Sequence, residues 1–542
     1  MKQLFVVLIT IISINGPSKA QPNIILIMSD DLGWTDLSTP NSSLRNNSKY
    51  YETPNIDRIA NQGMSFTYAY SQQNCAPTRA ALLTGQYATG PQNGIYNVTS
   101  LDRASNPAST SIIPHEQQNH LKETSISIFE TIKQAGYHTA WFGKLHAIKN
   151  PDHATTYLGV DHNLALRKET RAVVNGVEVN KEFFAQKDDT KGWIFSHDGL
   201  QHYALPYDSA YINNVLEPYK NGNDPWLVEG TPKHLTDALG DAVVNYIKDR
   251  AQSGKPFFAY VPFHAVHVSI LPRLDLEAKY NAKPSADPRH DRADYAAFVE
   301  LLDQNVGRIV DALDDPNGDG DTSDGIADNT LVIFYSDNGG FMGPTDNSPL
   351  REKKGTYYEG GLRVPLIFKW PGRIAPNTIN TTQEVHSIDF YPTLAAIARA
   401  ALPDTAIHKI DGKSIAGILQ GEMTEIAEKT ELYWHFPGYM DSRNLPQSVI
   451  HLRHSDGNHY KLFYRYEDGT YELYNLSDDI SETINLLDGN PDQATLDLAM
   501  IMNNKLRNWL IARNAPTGTW RASGLPVPYP PLIQCGPPTV SF

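Results

Sequence analysis

The sequence predicts an α/β fold: a large mixed, mostly parallel sheet flanked by helices, with a smaller C-terminal antiparallel sheet and helix. Three observations carry this. Apolar runs at 23–28, 257–261 and 330–335 have the continuous pattern of strands buried on both faces. Capped or amphipathic helical stretches stand between them. Beyond about Glu431 the pattern changes to short strands joined by tight polar turns.

In chain order, Met1-Lys2-Gln3, the apolar stretch Leu4 to Ile14 and the small-x-small site Ser18-Lys19-Ala20 form a secretory leader, with a mature start near Gln21. Asn23 to Met28 is the first buried strand. Thr53 to Ala60 is a helix with Pro54 at its first position and Gly63 as its stop. Cys75-Ala76-Pro77-Thr78-Arg79 opens a short helix stopped by Gly85, and proline suits a first turn because its missing N–H costs nothing there. Ser127 to Ala135 is a helix, and the next strand ends in Lys144-Leu145-His146. Residues 150–232 are polar, aromatic and turn-rich, with no clear sheet order, and are expected to shape a pocket. Pro232 to Gln252 is amphipathic, with Leu235, Leu239, Val243, Val244 and Ile247 on one face. The strand at 257–261 runs into Pro262-Phe263-His264-Ala265-Val266-His267, and a long helix covers about 294–313. Thr330 to Tyr335 is a further strand, Leu362 to Trp370 another, and Asp389 to Ala400 a helix. The C-terminal part holds strands near 433–436, 449–453, 460–466 and 471–475, closed by a helix from about 492 to 513 and a proline-rich tail. The organisation expected is leader 1–20, catalytic domain 21–430 and α+β subdomain 431–542.

At 542 residues the chain can bury a large core, and its formal charge of −15 argues against general nucleic-acid binding. With the leader, and no other apolar run long enough to span a bilayer, the protein is expected to be exported, periplasmic or secreted. The two cysteines, Cys75 and Cys535, could pair; modification of Cys75 would preclude it, and that account is preferred.

Chemistry gathers at strand ends. Two buried strands terminate in Ser29-Asp30-Asp31 and Ser336-Asp337-Asn338. In open α/β sheets the ligand site lies beyond the carboxyl ends of the strands. Four oxygen-bearing side chains there suit a hard divalent cation, Ca²⁺ or Mg²⁺. Cys75 sits at a helix N-terminus, which favours anions, with Arg79 one turn along. Lys144/His146, His264/His267 and Lys354 complete a cationic pocket around a metal. A separate loop, Asp315, Asn317, Asp319 and Asp321, matches the first half of an EF-hand-like calcium loop, although its twelfth position is Ile326 rather than glutamate.

The order Cys-x-Pro-x-Arg followed by Ala-Ala-Leu-Leu-Thr-Gly, with Gly143-Lys144-Leu145-His146 and the lysine loop Lys354 to Gly361, resembles the type I (formylglycine-dependent) sulfatases of the alkaline phosphatase-like superfamily. The resemblance covers nearly the whole mature chain. It implies oxidation of Cys75 to formylglycine (3-oxoalanine) by a maturation enzyme. It further implies Ca²⁺, with Mg²⁺ or Mn²⁺ less favoured, on Asp30, Asp31, Asp337, Asn338 and the modified Cys75. The hydrated aldehyde would attack sulfur, leaving a sulfated enzyme. Arg79 would hold the hydrate, Lys144, Lys354 and His267 would neutralise charge and protonate the leaving oxygen, and His146 would take the proton whose loss expels sulfate. One departure is that Val266, not proline, precedes His267. Export and the insert-rich middle region favour a sulfated polysaccharide or oligosaccharide, with His264, Arg289, His290, Arg351 and Lys353 as substrate contacts near the mouth. The competing readings are a phosphonate or phosphate monoester hydrolase of the same superfamily, and a catalytically silent secreted carbohydrate-binding protein.

Overall fold

The computed structural model describes residues 20–533 apart from 39–46, 99, 104–109, 150, 169–171, 175–176, 180–192, 196–204, 217–226, 232, 342 and 442. Residues 1–19 of the expected leader, Cys535 and much of the aromatic middle region lie outside the described residues. Among the described residues no helix is long and apolar enough to cross a membrane.

Among the described residues, nine strands form the main sheet. In chain order they are β1 (Asn23–Ser29), β2 (Met64–Phe66), β3 (His138–Lys144), β4 (His162–Lys168), β5 (Trp193–Phe195), β6 (Phe257–Pro262), β7 (Thr330–Ser336), β8 (Leu366–Lys369) and β9 (Thr378–Asn380). Their spatial order is β5-β4-β3-β6-β1-β7-β8-β2-β9. The five central strands from β4 to β7 run parallel, while β5 and β8 pair antiparallel with their inner neighbours. This is the mixed, mostly parallel sheet the apolar runs predict. Alternate side chains enter opposite layers, as the strand period requires. Ile24, Leu26 and Met28 of β1 join Leu331, Ile333 and Tyr335 of β7 in one core, and Ile25 and Ile27 join Val332 and Phe334 in the other. Helices cover both faces. The first layer holds α2 (Cys75–Thr84), α3 (Ile128–Gln134) and α6 (Phe390–Ala398); the second holds α1 (Pro54–Asn61), α4 (Leu235–Ser253) and α5 (Ala293–Asp314).

Parallel register aligns the chemistry. Ser29 of β1 lies opposite Ser336 of β7, and Met28 opposite Pro262 of β6. The strands β3, β6, β1 and β7 are consecutive neighbours and therefore deliver the residues that follow them to one edge. The helix ends obey local rules. Ser127 and Glu130 form a reciprocal capping box on α3, and Gly85 closes α2 at φ 66° with its N–H on the Ala81 carbonyl.

The C-terminal sheet is antiparallel, with β10 (Glu431–Phe436), β11 (Gln447–Arg453), β12 (His459–Arg465) and β13 (Tyr471–Asn475) in sequential order. One face packs under α7 (Gln493–Ala512) through Ile450, Leu452, Leu462, Met502 and Leu506. The other packs on earlier parts of the chain in a shared cluster of Tyr70, Leu362, Trp434, Val449 and Phe463.

Candidate active site

Helix α2 begins at Cys75, with Asn74 before it in extended conformation. Every residue of α2 is buried, so Cys75 and Arg79 point into the protein rather than into solvent. The Cys75 Sγ lies 3.3 Å from Asp30 Oδ1, 3.9 Å from Asp31 Oδ1, 3.3 Å from Lys354 Nζ and 3.7 Å from Lys144 Nζ. Arg79 donates to Asp337 Oδ2 from Nε at 3.0 Å and from Nη2 at 2.7 Å. Lys144 pairs with Asp30, Lys354 with Asp31 Oδ1 at 2.6 Å, and Asn338 Nδ2 donates to Asp31 Oδ1 at 2.8 Å. His267 reaches the set from the loop after β6, its Nε2 lying 3.8 Å from Asp31 Oδ2. The structure thus brings together Asp30, Asp31, Cys75, Arg79, Lys144, His267, Asp337, Asn338 and Lys354, which lie far apart in sequence.

The electrostatics follow from burial. Burial alone would raise Asp30, but Lys144, His267, Arg79 and Lys354 outweigh it and hold the carboxyl well below its usual range. Burial and the neighbouring Asp30 push Asp337 up to about 6, against the pull of Arg79. Burial, with the Asp30 and Asp337 charges, pushes the Cys75 thiol well up, so an unmodified Cys75 is a neutral thiol. Burial and the two lysines lower His267 to about 4, and burial and Lys144 lower His146. Lys354 is held above its usual value because Asp31 and its neighbours outweigh burial.

The donor set fits a hard cation. Asp31 Oδ2 and Asn338 Oδ1 are buried acceptors without a hydrogen-bond partner, beside two further carboxylates. Buried acceptors are rarely left bare, and a set of carboxylate and amide oxygens is what Ca²⁺ or Mg²⁺ takes.

His146 is reached by a route the strand pattern did not give. Strand β3 stops at Lys144, and His146 lies in the left-handed region at φ 47°, so a turn and not strand alternation sets its direction. Its Nδ1 is buried without a hydrogen-bond partner.

Four expected substrate contacts are placed differently. His264 is only 1% exposed and is closed off from solvent. His290 is fully buried, stacked on Tyr51 at 4.4 Å and 3.6 Å from both Asp36 and Asp287. Arg289 grips Asp287 through Nε and Nη2 and the Ser348 and Asn47 carbonyls. Arg351 donates to Tyr474 Oη and the Glu482 carbonyl while stacking on Tyr358. Polarity marked these residues, but Arg289 and Arg351 are committed to internal partners, near (Asp287) or distant (Asn47, Ser348, Tyr474 and Glu482), and the two histidines are buried. Lys353 is half-buried beside Lys354. In the acidic loop Asp315 is half-buried and Asn317, Asp319 and Asp321 are exposed, and all four turn their oxygens onto backbone N–H groups of the same loop.

Sequence reasoning missed what holds the lysine loop. Lys461 Nζ, on β12, lies 3.0 Å from both Glu359 Oε1 and Glu482 Oε1, all three fully buried. Glu482 Oε2 accepts from the Glu359 N–H at 2.7 Å. No local motif marks Lys461 or Glu482. Next to Glu359, a Cβ on Gly339 would stand 1.9 Å from the Gly360 carbonyl oxygen, so glycine is required at 339 by backbone approach.

Comparison with known proteins agrees with this geometry. The family model described as Sulfatase matches residues 22–400, and that described as N-sulphoglucosamine sulphohydrolase, C-terminal, matches 352–510. The chain is 71% identical over 510 residues to a sulfatase from Formosa agariphila, covering 94% of this chain and 92% of that one. It is 26% identical to an N-acetylgalactosamine-6-O-sulfatase from Bacteroides thetaiotaomicron, covering 88% and 92%. Among solved structures it is similar to that of Ps i-CgsB in complex with k-i-k-neocarrahexaose, with TM-score 0.63, 26% identity and coverage of 90% and 92%.

Proposed function

The chain belongs to the sulfatase family and is a sulfuric ester hydrolase, and from that premise we propose that it is an exported, Ca²⁺- and formylglycine-dependent enzyme removing sulfate from a sulfated polysaccharide or oligosaccharide. The observation that carries the reading is the position of Cys75 Sγ, within 3.3–3.9 Å of Asp30, Asp31, Lys144 and Lys354, next to the bare oxygens of Asp31 and Asn338.

When present, the cation on Asp30, Asp31, Asp337 and Asn338 and the formylglycine at position 75 would supply the ionised hydroxyl nucleophile. The remaining work falls to this chain's side chains. Arg79 fixes Asp337 by two hydrogen bonds from the fully buried helix α2, so the ligand set cannot drift. Lys144 and Lys354 flank position 75 and place positive charge where sulfate oxygens must lie, in a setting with little water to screen it. His267 contacts the Val268 carbonyl through Nδ1. A carbonyl only accepts, so Nδ1 carries the proton and Nε2 gains one only in the imidazolium. An anionic sulfate ester beside Nε2 favours that form and so readies a proton for the leaving oxygen. His146, with its bare Nδ1, is the base for the second half of the cycle.

A glycan substrate is supported by two relatives. One carries N-acetylgalactosamine-6-O-sulfatase as its name, and the other is in complex with a neocarrahexaose. Export rests on the leader at 1–20, and the maturation enzyme is an obligatory partner of the reading. The test is peptide mass spectrometry of the fragment ending at Arg79, with sulfate release measured on a panel of sulfated glycans. Formylglycine, seen as a loss of about 18 Da from cysteine, together with Ca²⁺-dependent release is expected. An unmodified Cys75 in active protein from the native host would refute it.

A further inference from the structure

A second cluster of ligand-type residues lies away from the active site, where the C-terminal sheet meets the catalytic domain. Its members are Glu384, just ahead of the short strand Val385–His386, His451 on β11 and His459 on β12. Their exposures are 1%, 0% and 4%, and one ligand atom from each lies within 4.8 Å of the others. Strand pairing puts them together. Arg453 lies opposite His459 and His451 opposite Lys461, so both histidines project from the same face of the sheet as diagonal neighbours.

Buried ligand-type atoms of all three residues are bare. Both Glu384 carboxylate oxygens, His451 Nδ1 and His459 Nδ1 are buried without a hydrogen bond. His459 Nδ1 stands 3.1 Å from Glu384 Oε1, and Arg453 Nε 3.4 Å from the same oxygen, neither in hydrogen-bonding geometry. Arg453 is otherwise committed to Glu425 and to the Ile426 and Lys429 carbonyls. Four bare polar atoms in one closed space is a costly arrangement unless something fills it.

The tautomer of His451 is also set. Tyr70 Oη donates to Glu359 Oε2 at 3.1 Å, and a hydroxyl has only one proton to give. It must therefore accept from His451 Nε2, 3.4 Å away, which leaves the lone pair on Nδ1, the ring nitrogen buried without a hydrogen bond. An outer hydrogen bond that fixes a ring and frees its other nitrogen is the usual support of a metal-bound histidine. His459 is held flat by Tyr68, stacked at 3.8 Å with an 11° tilt.

We propose that Glu384, His451 and His459 bind a divalent transition metal, Zn²⁺ by ligand type, as a structural clamp between the C-terminal sheet and the catalytic domain. Two imidazoles and a carboxylate are a borderline-soft set, unlike the oxygen-rich set around Cys75. Zn²⁺ draws its ligand atoms to about 3.3 Å from one another in tetrahedral geometry, a contraction within reach of side-chain rotation. Because the site is closed, the metal enters as the chain folds.

The test uses full-length protein made in Zn²⁺-supplemented culture and dialysed against excess Ca²⁺, alongside protein refolded from urea with Zn²⁺. Bound zinc is counted by mass spectrometry and its ligands are read by X-ray absorption. One equivalent with a two-imidazole signature is expected, a signature the active-site cluster with its single histidine cannot give. E384Q and H459Q should each weaken Zn²⁺ by more than about 100-fold, since even outer-shell losses cost 10–100-fold. Substoichiometric zinc in both wild-type preparations, or an equivalent retained by both variants, overturns the proposal. The wild-type spectrum decides the matter even if a variant fails to fold.

Discussion

Replacing Lys461 with methionine tests how the C-terminal sheet supports the catalytic loop. Lys461 is the cation shared by Glu359 and Glu482, at 3.0 Å from each, and all three side chains have no exposure. Methionine matches the aliphatic stem, so the change removes charge with little cavity. Two carboxylates would then face each other with Arg363, 3.3 Å from Glu359, as the remaining close cation. Breaking a buried ion pair from one side costs about 3–5 kcal/mol, a large part of a typical stability of about 5–15 kcal/mol. The sign with pH is set by Glu482, which burial already pushes up to about 7 and which loses its main opposing charge. An acid whose folded pKa is raised holds a proton that the unfolded chain has released, so stability falls as pH rises from about 4.5 upward. The deficit in a urea titration should therefore be larger near pH 8 than near pH 5.5. Adding Glu482→Gln to Lys461→Met should recover part of it. Glu359 begins the turn that ends the lysine loop, so kcat should also fall, by about 10- to 100-fold if Lys354 shifts by an ångström. A deficit below about 1 kcal/mol near pH 8 would refute the claim that Lys461 holds two charged carboxylates.

Other predictions concern the site and its surroundings. Chelation of Ca²⁺ should abolish sulfate release and lower the melting temperature, both restored by Ca²⁺. Asn338→Ala should raise the Ca²⁺ concentration needed for half-maximal activity, and an unchanged requirement would remove Asn338 from the ligand set. Arg289→Ala should lower the melting temperature while leaving KM for a sulfated glycan within about twofold, because Arg289 is bound to Asp287 and two carbonyls; a large KM change would restore it as a substrate contact. His234 and His435 are buried imidazoles lowered by burial to about 4 from 6.5, each with a ring nitrogen on a backbone carbonyl, Leu271 and Pro516. Their folded pKa values lie below the unfolded ones, so their contribution is complete above about pH 6.5 and is lost as pH falls toward 4, by roughly 3 kcal/mol for each. His435→Gln should flatten that slope in urea titrations between about pH 7 and 5.

The strand-end residues were legible because parallel strands leave a strong signal. Two apolar runs that both stop in Ser-Asp-(Asp/Asn) mark the strand ends where oxygen donors collect, and the register of β1 on β7, with Ser29 opposite Ser336, brings those ends together. Cys75 and Arg79 were legible because capping chemistry is local. His264 and His267 show where local reading ends. They are three residues apart on a turn, and only the path of the chain decides that one is sealed from solvent while the other has a side chain 24% exposed. Arg289, His290 and Arg351 failed for a related reason. A charged residue in a loop sequence is as compatible with a buried partner as with a substrate, and Asp36, Glu482 and Tyr474 lie far away in the chain. The support of the lysine loop by Lys461 crosses between domains and has no periodicity to betray it.

The charge balance of the site explains how an acidic protein selects an anion. Asp30, Asp31 and Asp337 carry three negative charges, and Arg79, Lys144 and Lys354 three positive ones, all at most 7% exposed. His146, His264 and His267 are held neutral by burial and by the neighbouring cations. The protein's own charges thus cancel, and on the proposed reading a divalent cation would leave an excess of two. An ionised nucleophile and a sulfate monoester bring one negative charge each, which closes the sum. A neutral ester would leave a buried positive charge uncompensated, and the imidazolium that His267 becomes beside the ester adds one more positive charge in favour of an anion. The formal −15 of the whole chain has little say in this. Exposed charges fade over a Debye length of about 8 Å, whereas those around Cys75 act at contact and with little water between them.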